Sequence, residues 1–222
     1  EELFQAEVEA GQKYQNVTTV ICPPNSFLES LSSNYELSTK NYKLNLGAQD
    51  VFWQDGPSLP IGYVLIGHSS RRAVGETDVE VNKKLKAALE AGIIPVLFVG
   101  EREGESREEV LKNQLEKDLN GLSAEQVSRI LFTYEPVWAI STNPGGHPDT
   151  PENALGAIKI IDSFLTINYK LKTINYLYGG SVNENNAADF LKYPEISGAV
   201  VGQASLDPNQ FEKILEAVNK TN

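Results

Sequence analysis

The 222 residues are 41% hydrophobic and 22% charged, without a Pro/Gly/Ser-rich linker, so we expect one domain over residues 1–222 with a sizeable core. A net charge of −11 opposes binding to nucleic acid and to anionic membranes, because both require basic surface. One cysteine and two histidines exclude an internal disulfide and offer no ligand set for a transition metal. We therefore expect no metal and a reducing, cytoplasmic location.

Strands and helices alternate along the chain. An amphipathic helix at Glu1–Lys13 precedes seven strand-like apolar runs, and helical periodicity fills most segments between the runs. The runs are Val17–Cys22, Leu44–Ala48, Tyr63–Gly67, Pro95–Gly100, Arg129–Tyr134, Ile174–Tyr178 and Gly198–Gly202. The alternation predicts an α/β fold with a parallel sheet. Seven strands fit a (β/α)8 TIM barrel that lacks its first strand, and they fit a doubly wound open sheet equally well.

Capping residues mark the helix starts. Thr77-x-x-Glu80 and Ser106-x-x-Glu109 have the spacing of a capping box, while Thr150-Pro151 and Asp207-Pro208 place a cap before proline. After Thr77 an apolar stripe typical of a core-facing helix consists of Val81, Leu85, Ala88 and Leu89. Gly92 is suited to end that helix in a left-handed conformation. No Gly-x-Gly-x-x-Gly turn follows a strand, which argues against a dinucleotide site.

Two polar side chains follow strand-like runs directly. Glu135 comes after the run that ends at Tyr134 and before Pro136, which has no N–H to continue a strand. Ligands of parallel α/β folds bind at the C-terminal ends of the strands, so Glu135 is a candidate general base. His68 follows the run Tyr63–Gly67 in the same way and should lie on the same face. The alternatives are a glutamate paired with a lysine or arginine and a structural histidine.

Glycines follow the last two strand-like runs. Gly179 and Gly180 precede Ser181, and Gly202 precedes Gln203. Barrels commonly bind phosphate at these positions through backbone N–H groups, and glycine lets such groups approach an anion closely. We predict a phosphate site there, with tight βα turns as the alternative role of the glycines.

Five segments, standing in the family's order, resemble the signature sequences of triosephosphate isomerases. They are Tyr63–Ser69, Phe98–Glu101, Phe132–Ile140, Tyr178–Val182 and Val200–Leu206. The resemblance runs from about Val17 to Val218. It implies a (β/α)8 barrel whose phosphate ligands include Ser181, Gly202 and Gln203.

The resemblance also implies a reaction. Members of the family interconvert dihydroxyacetone phosphate and D-glyceraldehyde 3-phosphate in glycolysis and gluconeogenesis, without a cofactor and as homodimers. By resemblance, Glu135 is the base that moves a proton between adjacent carbons, and His68 polarises the carbonyl and moves protons between the oxygens.

Residues 140–149 resemble the lid that closes over the substrate in this family. The resemblance implies a phosphate contact from the backbone near Ser141, and closure protects the enediolate from water. In this Gly/Pro-rich segment we expect few stable backbone hydrogen bonds. We also expect His147 to lie on the lid surface and Trp138 to have a packing role.

Several positions depart from the family. The family's first strand ends in Asn-x-Lys, and we expect the natural polypeptide to carry such a strand before Glu1. Ser70 stands where the family has glutamate, and Gln203 stands where it has glycine. The segment between Asp55 and Ile61, which enters the second subunit in the family, is short. A catalytically silent phosphate-binding relative and another phosphosugar enzyme, such as an epimerase or aldolase, are therefore the alternatives.

Overall fold

A computed structural model describes residues 2–14, 16–31, 44–54 and 61–221. The expected short loop between Asp55 and Ile61 lies outside the described residues.

Seven parallel strands form one sheet, in which each strand pairs with its neighbours in the sequence. They are β1 (Thr19–Ile21), β2 (Leu44–Ala48), β3 (Tyr63–Ile66), β4 (Ile94–Val99), β5 (Leu131–Tyr134), β6 (Tyr176–Tyr178) and β7 (Gly198–Ala199). Each lies within, or within one residue of, a predicted run. Most are shorter than predicted: β5 and β6 begin two residues later than their runs, whereas β3 and β7 end before theirs.

Helices occupy most of the intervals between strands. They are α1 (Glu2–Lys13), α2 (Ser69–Ala73), α3 (Asp78–Glu90), α4 (Arg107–Asp118), α5 (Ala124–Val127), α6 (Pro151–Tyr169), α7 (Ala187–Leu191) and α8 (Pro208–Thr221). None of the helices in the described ranges is long and apolar enough to cross a lipid bilayer.

The strand order distinguishes a barrel from a doubly wound sheet. A doubly wound sheet reverses its strand order at a switch point, whereas this sheet runs from β1 to β7 without reversal. Helix α1, which precedes β1, packs against α8, which follows β7. Lys13 and Glu212 form an ion pair of 2.8 Å between these two helices. The sheet is therefore curled as in a TIM barrel, with seven strands in the described residues.

The helix caps agree with the sequence in part. Thr77 forms the predicted capping box with Glu80, and the Thr150 side chain accepts a hydrogen bond from the Asn153 backbone. Ser106 precedes α4, but its side chain makes no capping hydrogen bond, so that prediction was wrong. An unpredicted capping box joins Ser123 and Gln126.

The core lies between the sheet and its surrounding helices. The predicted stripe of α3 is buried there, as Val81, Leu85, Ala88 and Leu89. Full burial of an aliphatic side chain contributes about 1.5–3 kcal/mol, so this face fixes the helix on β3 and β4. Gly92 ends the helix with a φ of 78°, as predicted. This packing directs the C-terminal ends of the strands to one rim.

Candidate active site

The structure brings His68 and Glu135 into contact. His68 follows β3 and caps α2, whereas Glu135 follows β5 and is only 2% exposed. Nε2 of His68 lies 3.0 Å from Oε1 of Glu135. The two strand-end residues therefore meet across the end of β4, on one face of the sheet.

Gly100, at the end of β4, makes this arrangement sterically possible. The Glu135 backbone N–H donates to the Val99 carbonyl at 2.9 Å, which draws the end of β5 against β4. A Cβ atom on Gly100 would lie 1.9 Å from the Glu135 carbonyl oxygen, far inside van der Waals contact. Only glycine allows this backbone approach.

The Glu135 carboxylate accepts hydrogen bonds from the turn that begins α2. The Ser69 backbone N–H donates to Oε2 at 2.8 Å, and the Ser69 hydroxyl donates to Oε1 at 3.1 Å. His68 supplies the third polar contact. A buried carboxylate needs such donors, so this set holds Glu135 beside His68. Sequence reasoning assigned no role to Ser69, although it directly follows the predicted histidine.

The hydrogen bonds of His68 define its tautomer. The Ser70 backbone N–H donates to Nδ1 at 3.1 Å, so Nδ1 carries the lone pair and the ring proton resides on Nε2. Burial lowers the pKa of His68, but the hydrogen bond and the negative charge of Glu135 outweigh it and hold the pKa above its ordinary value. The basicity of His68 therefore depends on where the Glu135 carboxylate lies.

Of the four residues predicted to bind phosphate, two are in contact. The Ser141 backbone N–H donates to the Ser181 hydroxyl oxygen at 2.7 Å. Gly202 precedes the 3₁₀ helix Gln203–Leu206, and its carbonyl accepts from the Ser205 hydroxyl at 2.7 Å. Among the hydrogen bonds of the described chain, none joins Gly202 or Gln203 to the serine pair.

The two glycine turns differ in their surroundings. A Cβ on Gly180 would lie 2.2 Å from the Tyr178 hydroxyl oxygen, and one on Gly179 would lie 2.6 Å from the Thr133 methyl group. Close packing therefore requires glycine at both positions, a reason that the sequence did not indicate. Around Gly202 the Cβ position is open, with no heavy atom within 4 Å.

A buried carboxylate that sequence reasoning did not single out links three elements at this rim. Glu101, which is 3% exposed, accepts at Oε1 from the Tyr134 hydroxyl at 2.9 Å, Trp138 Nε1 at 3.1 Å and Arg107 Nε at 3.1 Å. These donors come from β5, the base of residues 140–149 and α4. Glu101 follows β4 as Glu135 follows β5, so the same sequence signal could have identified it. Trp138, expected to pack, is also a hydrogen-bond donor.

The lid-like segment is more ordered than its sequence predicts. Its backbone closes turns from Asn143 to Ile140 at 2.9 Å and from Gly146 to Asn143 at 3.0 Å, and the His147 N–H donates to the Trp138 carbonyl at 3.1 Å. The expectation of few backbone hydrogen bonds was therefore wrong.

His147 is exposed, as expected, but it has defined neighbours. Its ring stacks on Trp138 with centroids 4.7 Å apart and an interplanar angle of 27°. Its Nε2 lies 3.1 Å from an oxygen of Glu103. These contacts attach the C-terminal part of the lid-like segment to Trp138 and to the loop after β4.

Metal ligation has no geometric basis in the part of the chain that the structure describes. No group of three or more His, Cys, Asp or Glu side chains there could hold a metal ion.

Comparison with known proteins agrees with this geometry. The sequence profile described as triosephosphate isomerase matches residues 1–218. The chain is 37% identical to the triosephosphate isomerase of Dictyoglomus thermophilum, over 98% of this chain and 92% of that protein. It is 39% identical to that of Dictyoglomus turgidum, over 94% and 89%, and 38% identical to that of Dehalococcoides mccartyi, over 91% and 84%. The chain belongs to the triosephosphate isomerase family.

Proposed function

We propose that this protein is a triose-phosphate isomerase, which interconverts dihydroxyacetone phosphate and D-glyceraldehyde 3-phosphate in glycolysis and gluconeogenesis. The contact between His68 and Glu135 at the strand ends is the observation that carries the proposal within this family. It supplies a carboxylate base and a hydrogen-bond donor next to each other, as an aldose–ketose isomerisation requires.

In the proposed reaction, Glu135 takes a proton from the carbon next to the substrate carbonyl. The Nε2–H group of His68 donates to the carbonyl oxygen and stabilises the negative charge that develops there. His68 gives its Nε2 proton to the former carbonyl oxygen and takes up the proton of the neighbouring hydroxyl, whose oxygen becomes the new carbonyl. Glu135 returns its proton to the adjacent carbon. Each proton is returned within one cycle, so the reaction needs no cofactor.

Glu135 must turn away from Ser69 to reach a substrate. This movement removes from His68 the negative charge that raises its pKa. The amide hydrogen bond from Ser70 to Nδ1 stays, and it favours a neutral ring. Movement of the base therefore prepares His68 to act as a neutral acid, the role for which triosephosphate isomerases are a reference case.

The phosphate group would bind to backbone amides of Ser141, Ser181, Gly202 and Gln203. Open space at Gly202 and the position of Ser141 at the start of the lid-like segment support this assignment. Amide donors suit a phosphate dianion because they carry no charge that must be desolvated.

A homodimer is the proposed assembly, with each chain one TIM-barrel domain over residues 1–222. A cleft of about 320 Å³ lies between the loops that follow β2 and β3. Phe52 and Val74 line it and are 52% and 74% exposed, as suits an interface between subunits. Light scattering on the purified protein measures the assembly.

For location we propose a reducing cytoplasm, in keeping with the single cysteine.

The alternative enzyme classes have less support. A Schiff-base aldolase needs a lysine at a strand end, whereas His68, Glu101 and Glu135 are the ionisable residues within two positions after β3, β4 and β5. A silent relative would bind phosphate without turnover.

A coupled assay on the natural full-length protein, with each triose phosphate in turn, tests the proposal. Interconversion in both directions is expected, together with exchange of one substrate hydrogen with solvent deuterium. Anion binding without turnover would instead establish the silent relative.

A further inference from the structure

The side chain of Ser70 makes a contact that the proposed mechanism has not used. Its hydroxyl oxygen lies 2.8 Å from Nδ1 of His68, and its own backbone N–H reaches the same nitrogen at 3.1 Å. A backbone N–H can only donate, so Nδ1 is an acceptor. A hydroxyl beside an accepting nitrogen must be a donor as well.

We propose that Ser70 is a positioning residue, whose hydroxyl gives His68 a second hydrogen bond at Nδ1 and thereby holds the imidazole neutral with Nε2–H directed toward the substrate. This inference rests on the proposed isomerase activity. The hydroxyl hydrogen bond depends on the identity of residue 70, whereas the backbone hydrogen bond does not.

The hydroxyl matters most when Glu135 moves. In the structure, the ring of His68 is held by Glu135, by Ser70 and by an edge contact with Phe98, with ring centroids 5.1 Å apart. When Glu135 turns to the substrate, Ser70 and Phe98 are the neighbours that still restrain the ring. A proton on Nδ1 would then face two donors of Ser70, so the neutral form is favoured.

Charged side chains other than Glu135 do not account for the protonation state of His68. Glu135 is the charged side chain that contacts His68 among the described residues. The two arginines of α2 pair with acidic side chains elsewhere, namely Asp50, Asp78 and Asp118.

Residue 70 is also a point where this chain differs from the family. The family's glutamate, when ionised, has no proton to donate to Nδ1, whereas serine has one. Ser70 is exposed, so core packing does not explain its presence. The departure therefore changes the chemistry next to the histidine without disturbing the fold.

Nitrogen-15 NMR of the histidine side chains tests the contact directly. The chain has two histidines, so a His147→Gln spectrum assigns both sets of signals. Ser70→Ala should move the Nδ1 resonance of His68 and raise the pKa of His68, because a donor to the neutral form is lost. Ser70→Thr should restore both values, since it keeps the hydroxyl. Ser106→Ala, at a helix cap without a side-chain hydrogen bond, is the matched control.

Kinetics test the consequence. Ser70→Ala should lower kcat about three- to tenfold, the effect of one neutral hydrogen bond, with KM nearly unchanged and the acid limb of the kcat profile moved to higher pH. Ser70→Thr should recover kcat. An unmoved Nδ1 resonance in Ser70→Ala would overturn the inference, and so would a moved resonance with unchanged kcat. Lack of turnover in the wild type would refute the isomerase proposal instead, while the NMR comparison still decides whether Ser70 donates to His68.

Discussion

The backbone amide of Ser141 is bound to the hydroxyl oxygen of Ser181, at 2.7 Å. Both residues belong to the proposed phosphate site, so the start of the lid-like segment is already attached to the turn after β6. An incoming phosphate would compete with the Ser181 hydroxyl for this N–H. The anion and the lid are therefore coupled through one hydrogen-bond donor.

Sulfate and 2-phosphoglycolate should raise the melting temperature. At about a hundredfold excess over Kd, binding adds about 2.7 kcal/mol. For a domain of this size that corresponds to about 5–10 °C. Ser181→Ala should need several times less anion for the same shift, because it removes the hydroxyl that competes with the phosphate for the Ser141 N–H. Differential scanning fluorimetry measures both effects. Ser128→Ala, which removes an exposed hydroxyl directly after α5, should respond like the wild type; an equal response of all three proteins would contradict the assignment.

Glu135→Gln should keep the shape of the side chain and remove the base. We expect kcat to fall by at least about two orders of magnitude, with binding of 2-phosphoglycolate largely retained. Steady-state kinetics and calorimetric titration separate the two quantities. Glu195→Gln, at an exposed position, is the control for loss of one negative charge. Near-normal turnover in Glu135→Gln would remove this residue from the mechanism.

Glu7 should make stability depend on pH. It is buried on α1 at 8% exposure, and burial raises its pKa from 4.5 to about 7. The folded state therefore keeps a proton that the unfolded chain releases between these values. Stability should fall as pH rises through this window, by about 3 kcal/mol from this residue.

Glu7→Gln isolates that contribution. The variant and the wild type should have similar urea midpoints at pH 4, where the glutamate is protonated in both states. At pH 8 the variant should be the more stable protein. Glu9→Gln, an exposed position on the same helix, should follow the wild type. Parallel curves for Glu7→Gln and wild type across the whole range would show that Glu7 is solvated in the folded protein.

His147→Ala should loosen the base of the lid-like segment. The change removes the ring stacked on Trp138 and the contact with Glu103. In a Trp53→Phe background Trp138 is the remaining tryptophan, so its emission reports the loss directly. We expect a red shift and a fall of about two- to fivefold in kcat/KM, in line with the loss of one aromatic contact.

His147→Phe separates the two contacts of His147. It keeps a ring over Trp138 and removes the polar contact with Glu103, so its emission should stay close to that of wild type. Identical emission from the alanine and phenylalanine variants would mean that the stack is absent in solution.

The sequence predicts which strand ends carry the site residues better than it predicts the hydrogen bonds between those residues. His68 and Glu135 could be found because an apolar run that stops at a polar residue marks a strand end, and parallel strand ends share one rim. The contacts from Ser69 and Ser70 could not be predicted, because they depend on side-chain rotamers. In addition, Ser69 and Glu135 are 66 residues apart in the sequence. The catalytic and phosphate-binding roles, and the single domain, stay predictions.

Identical patterns also gave different outcomes. Thr77-x-x-Glu80 forms a capping box and Ser106-x-x-Glu109 does not, although both have the required spacing. Spacing states which side chains can reach a helix end. The surrounding loop decides whether they do.

The absence of a side chain at Gly100 sets a limit on how this site can vary. The separation of β4 from the end of β5 is fixed by contact between backbone atoms, so no change of rotamer nearby can make room for a larger residue. A substitution at this position would displace the peptide group of Glu135 and, with it, the contact between Glu135 and His68. In a library that varies every residue of the rim, this site should therefore tolerate no alternative amino acid, even though glycine itself takes no part in the chemistry.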